Sequence, residues 1–124
     1  MQYRLFHLGV LVAQTEIDIS PGNDVAAELE ILPGGSRFER IVRDGSRAFS
    51  NYGYLAPNAG FFGGVTTEGD RAGQIAMQRL FRLESEVELR DADDRRIQVK
   101  AFDVLGTNPD PSTAIVVSIT FPDT

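Results

Sequence analysis

Residues 81–104 alternate. In FRLESEVEL, Phe81, Leu83, Val87 and Leu89 share one parity, with Arg82, Glu84, Glu86 and Glu88 on the other, the two-residue period of a half-buried strand. After the polar run DADDRR, Ile97, Val99 and Ala101 resume the period, so the two segments read as an antiparallel hairpin closed by a charged loop. Upstream, residues 3–6 and 9–13 are strand material around a turn near His7-Leu8-Gly9, and apolar and acidic residues keep alternating through Ile19. PGND at 21–24 is a turn signal. Ala27, Leu29 and Ile31 then alternate with Glu28 and Glu30 before PGGS at 33–36. Residues 38–43 and 47–54 flank Asp44-Gly45, and Asp-Gly between such runs favours a tight hairpin, so another strand pair is expected there. The last run, with Ile115, Val117, Ile119 and Phe121 in alternation, follows the prolines of TNPDPST and closes the sheet.

The middle breaks this rhythm. APNAGFFGGV at 56–65 reads as loop, and TEGDRAGQIAMQRL after it reads as a short helix, with Thr67 and Asp70 at capping-box spacing and Ala72, Ile75, Ala76 and Leu80 on one stripe. The same residues also serve as an extension of the next strand, since Ile75 and Met77 continue its alternation while Gly69 and Gly73 weaken a helix. The expected fold is mainly β: an antiparallel sandwich or barrel-like domain of about seven to eight strands, with at most one short helix. With 124 residues and no interdomain linker, residues 1–124 form a single domain.

Charge adds a second pattern. The net charge is −6, which speaks against a nucleic-acid partner, because phosphate binding wants clustered positive charge. Residues 1–36 hold one Arg and five acids, residues 37–82 seven Arg and four acids, and residues 83–124 four basic groups and nine acids. A basic middle, which includes Arg40 and Arg43, is thus expected to meet an acidic surface of another copy or of a neighbouring protein. The start, MQYRLFHLGVLV, has too short an apolar core for a signal peptide, and no stretch approaches a membrane span. A soluble chain with no membrane partner is expected.

The parts of an active site are missing. There is no cysteine, one histidine (His7) outside any nucleophile motif, and one lysine (Lys100) without a phosphate-cradling glycine loop. The glycine pairs at 34–35 and 63–64 do not form a dinucleotide fingerprint. Asp91, Asp93 and Asp94 cluster in the hairpin loop but lack the calcium-loop spacing, so they read as solvated. Glu84, Glu86 and Glu88, about 7 Å apart along one strand face, read as an exposed acidic strip. A non-enzymatic protein without cofactor or metal is therefore expected.

Five of the eleven aromatic residues, Phe49, Tyr52, Tyr54, Phe61 and Phe62, fall within residues 49–62 among Asn and Gly. They read either as rings that cap the core or as a contact site. As a contact site, Phe61 and Phe62 suit insertion into a neighbouring subunit, whereas Tyr52 and Tyr54 suit stacking on a sugar. With its charged alternating strands, long loops and lack of cysteine, the whole chain resembles in style the small β proteins of bacteriophage tails and baseplates. The resemblance implies a structural or assembly subunit of a virion that forms homo-oligomers or larger assemblies. The alternative is a carbohydrate-binding β-sandwich module whose partner is a glycan.

Overall fold

A two-residue turn sets the first hairpin. Leu8 and Gly9 both take positive φ, 51° and 82°, the twist that joins adjacent antiparallel strands, and Leu8 N–H donates to the Glu86 carbonyl. Strands β1 (Gln2–His7) and β2 (Val10–Glu16) pair across it. The structure, a computed structural model, describes residues 1–52, 68–105 and 113–123. Beyond the hairpin come β3 (Asp24–Ile31), a 3-10 turn at Pro33–Gly35, helix α1 (Ser36–Tyr52), helix α2 (Glu68–Glu84), β4 (Val87–Arg90), β5 (Arg96–Ile97), β6 (Ala101–Leu105) and β7 (Ile115–Thr120). The seven strands form one antiparallel sheet in the order β5-β4-β1-β2-β3-β7-β6, curled into a half-barrel. The antiparallel β class expected from the alternation is what the chain forms.

The pleat sorts the residues. Tyr3, Leu5, Ala27, Leu29, Val117 and Ile119 point to the inner face and are nearly inaccessible, while Glu28 and Glu30 point outwards. Val12 is an extra residue in β2, since Leu5 pairs with Ala13 and Phe6 with Leu11. This bulge turns Val12 into the core and leaves its carbonyl free to accept Leu32 N–H at 2.9 Å. Gly35 packs directly on that carbonyl, where any Cβ would collide with the oxygen. The inner face is covered by Phe38 and Val42 of α1 and by Leu80 and Leu83 of α2, which join one cluster with the strand residues. Among the described residues no helix is long and apolar enough to cross a membrane.

Three local expectations are corrected. Asp44-Gly45 lies inside α1, a helix of 17 residues, and residues 38–43 and 47–52 are helical rather than two strands. Phe38, Val42 and Gly45 repeat at helical spacing on its buried side, and a Cβ at Gly45 would lie 2.6 Å from Leu80 Cβ of α2. The glycine therefore permits two helices to cross closely rather than a chain to turn. Second, α2 continues to Glu84, so the fold has two long helices instead of at most one short one. Its buried stripe is Gly73, Met77, Leu80 and Leu83, while Ala72, Ile75 and Phe81 are exposed. Third, the hairpin of β4 and β5 pairs only Leu89 with Ile97 and Arg90 with Arg96. Residues 98–100 then carry the chain to the opposite edge of the half-barrel, where β6 pairs with β7.

Candidate interaction faces

The helix pair and the β2–β3 part of the sheet present opposite charge on opposite sides. On the solvent side of the helix pair, Arg37, Arg40 and Arg47 of α1 and Arg71, Arg79 and Arg82 of α2 are exposed. The close crossing at Gly45 leaves a groove of about 480 Å³ beside it. Arg40, Arg47 and Arg79 rim the groove with Asp44, and Ile41, Ala48, Ala72, Ile75 and Ala76 supply its apolar wall. Asp44 lies 3.8 Å from Arg47, and Arg40 and Arg79 make no ion pair with any described residue. Ile75 is 42% exposed. The groove thus combines two cations, Arg40 and Arg79, that have no ionic partner among the described residues, with apolar surface still in contact with water.

Across the sheet, β2 and β3 share only two residue pairs, Ala13 with Ile31 and Gln14 with Glu30. Beyond these the strands splay, bridged by the Thr15 hydroxyl donating to the Glu28 carbonyl at 2.9 Å. The splay opens a shallow depression of about 490 Å³ on the outer face, lined by Glu16, Glu28 and Glu30 together with Gln2, Gln14, Thr15 and Leu29. Gln14 donates to Glu30 at 2.6 Å. Among the described residues none of these three carboxylates has a cationic partner.

Of the residues singled out in the sequence, Arg40 lies on the groove rim, whereas Arg43 turns inwards. Only 8% exposed, Arg43 is held by Glu39 at 3.0 Å and donates to the Thr113 carbonyl at 2.7 Å. It ties α1 to the chain entering β7 and is not available as a contact residue on the surface. Tyr52 is the last residue of α1, with its side chain outside the described residues. Tyr54, Phe61 and Phe62 lie outside them altogether, as does the loop expected at 56–65.

The titratable groups have structural tasks. His7 is 6% exposed, with its ring 5.9 Å from that of Phe38 and Nε2 3.2 Å from Glu86 Oε1. The Glu84-Glu86-Glu88 strip does not form, because the first carboxylate ends α2, the second lies in the following turn and the third is in β4. Glu88 is answered by Arg90 at 3.0 Å and by Arg96 of β5 at 3.4 Å. Glu84 Oε2 accepts Val104 N–H at 2.9 Å, and burial, opposed by that hydrogen bond and aided by Asp103, raises its pKa above the ordinary carboxylate value. It lines a cavity of about 250 Å³ at the seam of the half-barrel, with Lys100 and Arg96. In the β4–β5 loop, Asp91 accepts the N–H groups of Asp93 and Arg95, and Asp94 meets Arg4 and Arg90. No cluster of three metal-ligating side chains occurs among the described residues.

The sequence localised the basic segment but missed the groove, whose walls come from two helices, and the acidic depression, whose signal is the outward parity of Glu28 and Glu30 opposite Gln14. Comparison of the chain with protein-family models, with curated proteins and with solved structures gives no match.

Proposed function

We propose that this protein is a non-enzymatic structural subunit that works by packing against copies of itself or a neighbouring protein, as a component of a bacteriophage tail or baseplate. The observation that carries the reading is the placement of a cationic, partly apolar groove on the helical side and an acidic depression on the outer side of the sheet. Opposed charged faces speed encounter between subunits and fix their orientation, while like faces repel wrong pairings. The virion part of the proposal rests on the style of the chain, its charged alternating strands and lack of cysteine.

Light scattering over a range of concentrations tests the assembly role. The mass should rise above the monomer's 13.6 kDa as concentration rises, and should fall back in high salt, because exposed pairs are screened beyond about 8 Å at physiological ionic strength. A single 13.6 kDa species at every concentration and salt, also in the presence of the products of neighbouring genes, refutes it. A gene lying outside any block of tail genes removes the virion assignment and leaves the assembly role standing.

A further inference from the structure

Resting on the assembly reading, we infer that the groove between α1 and α2 receives the acidic β2–β3 depression of a second copy of this chain, in a head-to-tail contact. The occupant follows from charge and position. The groove offers three guanidinium groups, from Arg40, Arg47 and Arg79, against the single carboxylate of Asp44, which Arg47 shares, and the depression offers three carboxylates, Glu16, Glu28 and Glu30, without cationic partners among the described residues. Arg40 and Arg47 stand two helical turns apart, about 10 Å along α1, with Arg79 facing them from α2. Glu28 and Glu30 stand about 7 Å apart along β3, and Glu16 lies on the neighbouring strand. Flexible arginine side chains bridge so small a mismatch, and guanidinium binds carboxylate through paired N–H donors. Between the charges, Ile75 and the groove alanines would face the methylene stems of the glutamates, removing apolar surface from water.

The two surfaces lie on opposite sides of the molecule, helices on one side of the sheet and outward-facing glutamates on the other. A two-fold dimer therefore cannot satisfy both at once. Each copy uses its groove on one neighbour and its depression on the next, which generates a closed ring if the rotation closes and a filament if it does not.

Charge reversal at exposed positions tests this without threatening the fold. Arg40→Glu with Arg79→Glu makes one variant, and Glu28→Arg with Glu30→Arg makes another. Each alone should self-associate about 100-fold more weakly or worse, since every reversal replaces an attraction with a like-charge contact, while its melting temperature stays at the wild-type value. Mixed in equal amounts, the two variants should assemble again, because the reversed groove of one fits the reversed depression of the other and the unaltered surfaces still match. Wild-type assembly that survives both double changes, or a groove variant that dissociates while the sheet variant does not, overturns this contact and leaves the assembly role standing. Variants that dissociate singly but do not recover on mixing also overturn it. A wild-type chain that never associates, alone or with neighbouring proteins, removes contact and assembly role together.

Discussion

Gly45→Ala is the sharpest probe of how the helices meet. At an unobstructed helix interior the change stabilises by about 1 kcal/mol, because alanine loses less backbone entropy and is the best helix former. Here the new Cβ would lie 2.6 Å from Leu80 Cβ, 2.8 Å from its Cδ2 and 3.1 Å from its Cγ, against the roughly 3.5–4.0 Å at which carbon atoms attract. Leu80 Cβ is fixed to the α2 backbone, so a rotamer change cannot relieve the contact and the helix itself must withdraw by about 1 Å. Overpacking of this kind costs about 1–3 kcal/mol. After subtraction of the propensity gain, Gly45→Ala should destabilise by about 1 kcal/mol, and Gly45→Val by about 3 kcal/mol, since it adds two methyl groups and a β-branch. Leu80→Ala alone should cost about 2–5 kcal/mol. In the double variant Gly45→Ala/Leu80→Ala, the Cγ and Cδ2 contacts are gone, so the combined loss should fall short of additivity by about 0.5–1.5 kcal/mol. Urea titrations of the five proteins, followed by circular dichroism, give these differences directly. A Gly45→Ala protein more stable than wild type, or strict additivity with Leu80→Ala, would refute the crossing.

Other expectations follow from single contacts. Val117 is fully inaccessible, paired with Ala27 and Val104 at the centre of the inner face, so Val117→Asp should prevent folding; a soluble variant with a cooperative melt would mean the inward face is misassigned. Arg43→Met keeps the apolar stem but removes the donors to Glu39 and Thr113, and should lower the unfolding free energy by about 2–3 kcal/mol, whereas an unchanged denaturation midpoint would deny Arg43 its internal role. Glu84 has a folded-state pKa above its ordinary value of 4.5, chiefly through burial. Its protonation therefore contributes stability that is full below about pH 4.5 and is lost as pH rises through the folded value. Glu84→Gln keeps an acceptor for Val104 N–H without the half-buried charge, so it should be at least as stable as wild type at pH 7, with the difference shrinking in acid; paired thermal melts at pH 7 and pH 4 check the sign.

The strands were legible where one face meets the core and the other meets water, as in β3, where Ala27 and Leu29 alternate with Glu28 and Glu30. They were legible too where a tight turn leaves a local mark, as at Leu8-Gly9. Helix α1 was hidden by a local signal with a distant cause. Asp44-Gly45 has the chemistry of a hairpin turn, yet glycine stands there because Leu80, 35 positions along the chain, packs against its backbone. The helical spacing of Phe38, Val42 and Ala48 was present but outweighed by that dipeptide. FRLESEVEL misled in another way. Two-residue alternation puts Phe81 and Leu83 about 200° apart on a helix, so one is buried and the other exposed, and only the last part of the run becomes strand. Of the charge segments only the basic one maps onto a face, because most of its arginines belong to two consecutive helices on one side of the sheet, whereas acids of the last segment are answered by Arg4, Arg90 and Arg96. The inward turn of Arg43 could not be read, since its partner Thr113 lies beyond both helices and three strands.

The hydrogen bond between Glu84 and Val104 N–H has a consequence for how such a domain can grow. An open half-barrel ends in strand edges, and an unpaired edge is a template for another chain to add to without limit. On β6 the glutamate occupies a backbone donor that an incoming strand would need, and it sets a half-buried carboxylate beside the path of approach. At the other edge β5 offers only two residues, too few to hold a partner strand. With both edges blunted, the proposed assembly would rest on side chains of the faces, where shape and charge determine angle and neighbour. Strand addition, which sets no limit on size, gives way to contacts that can close.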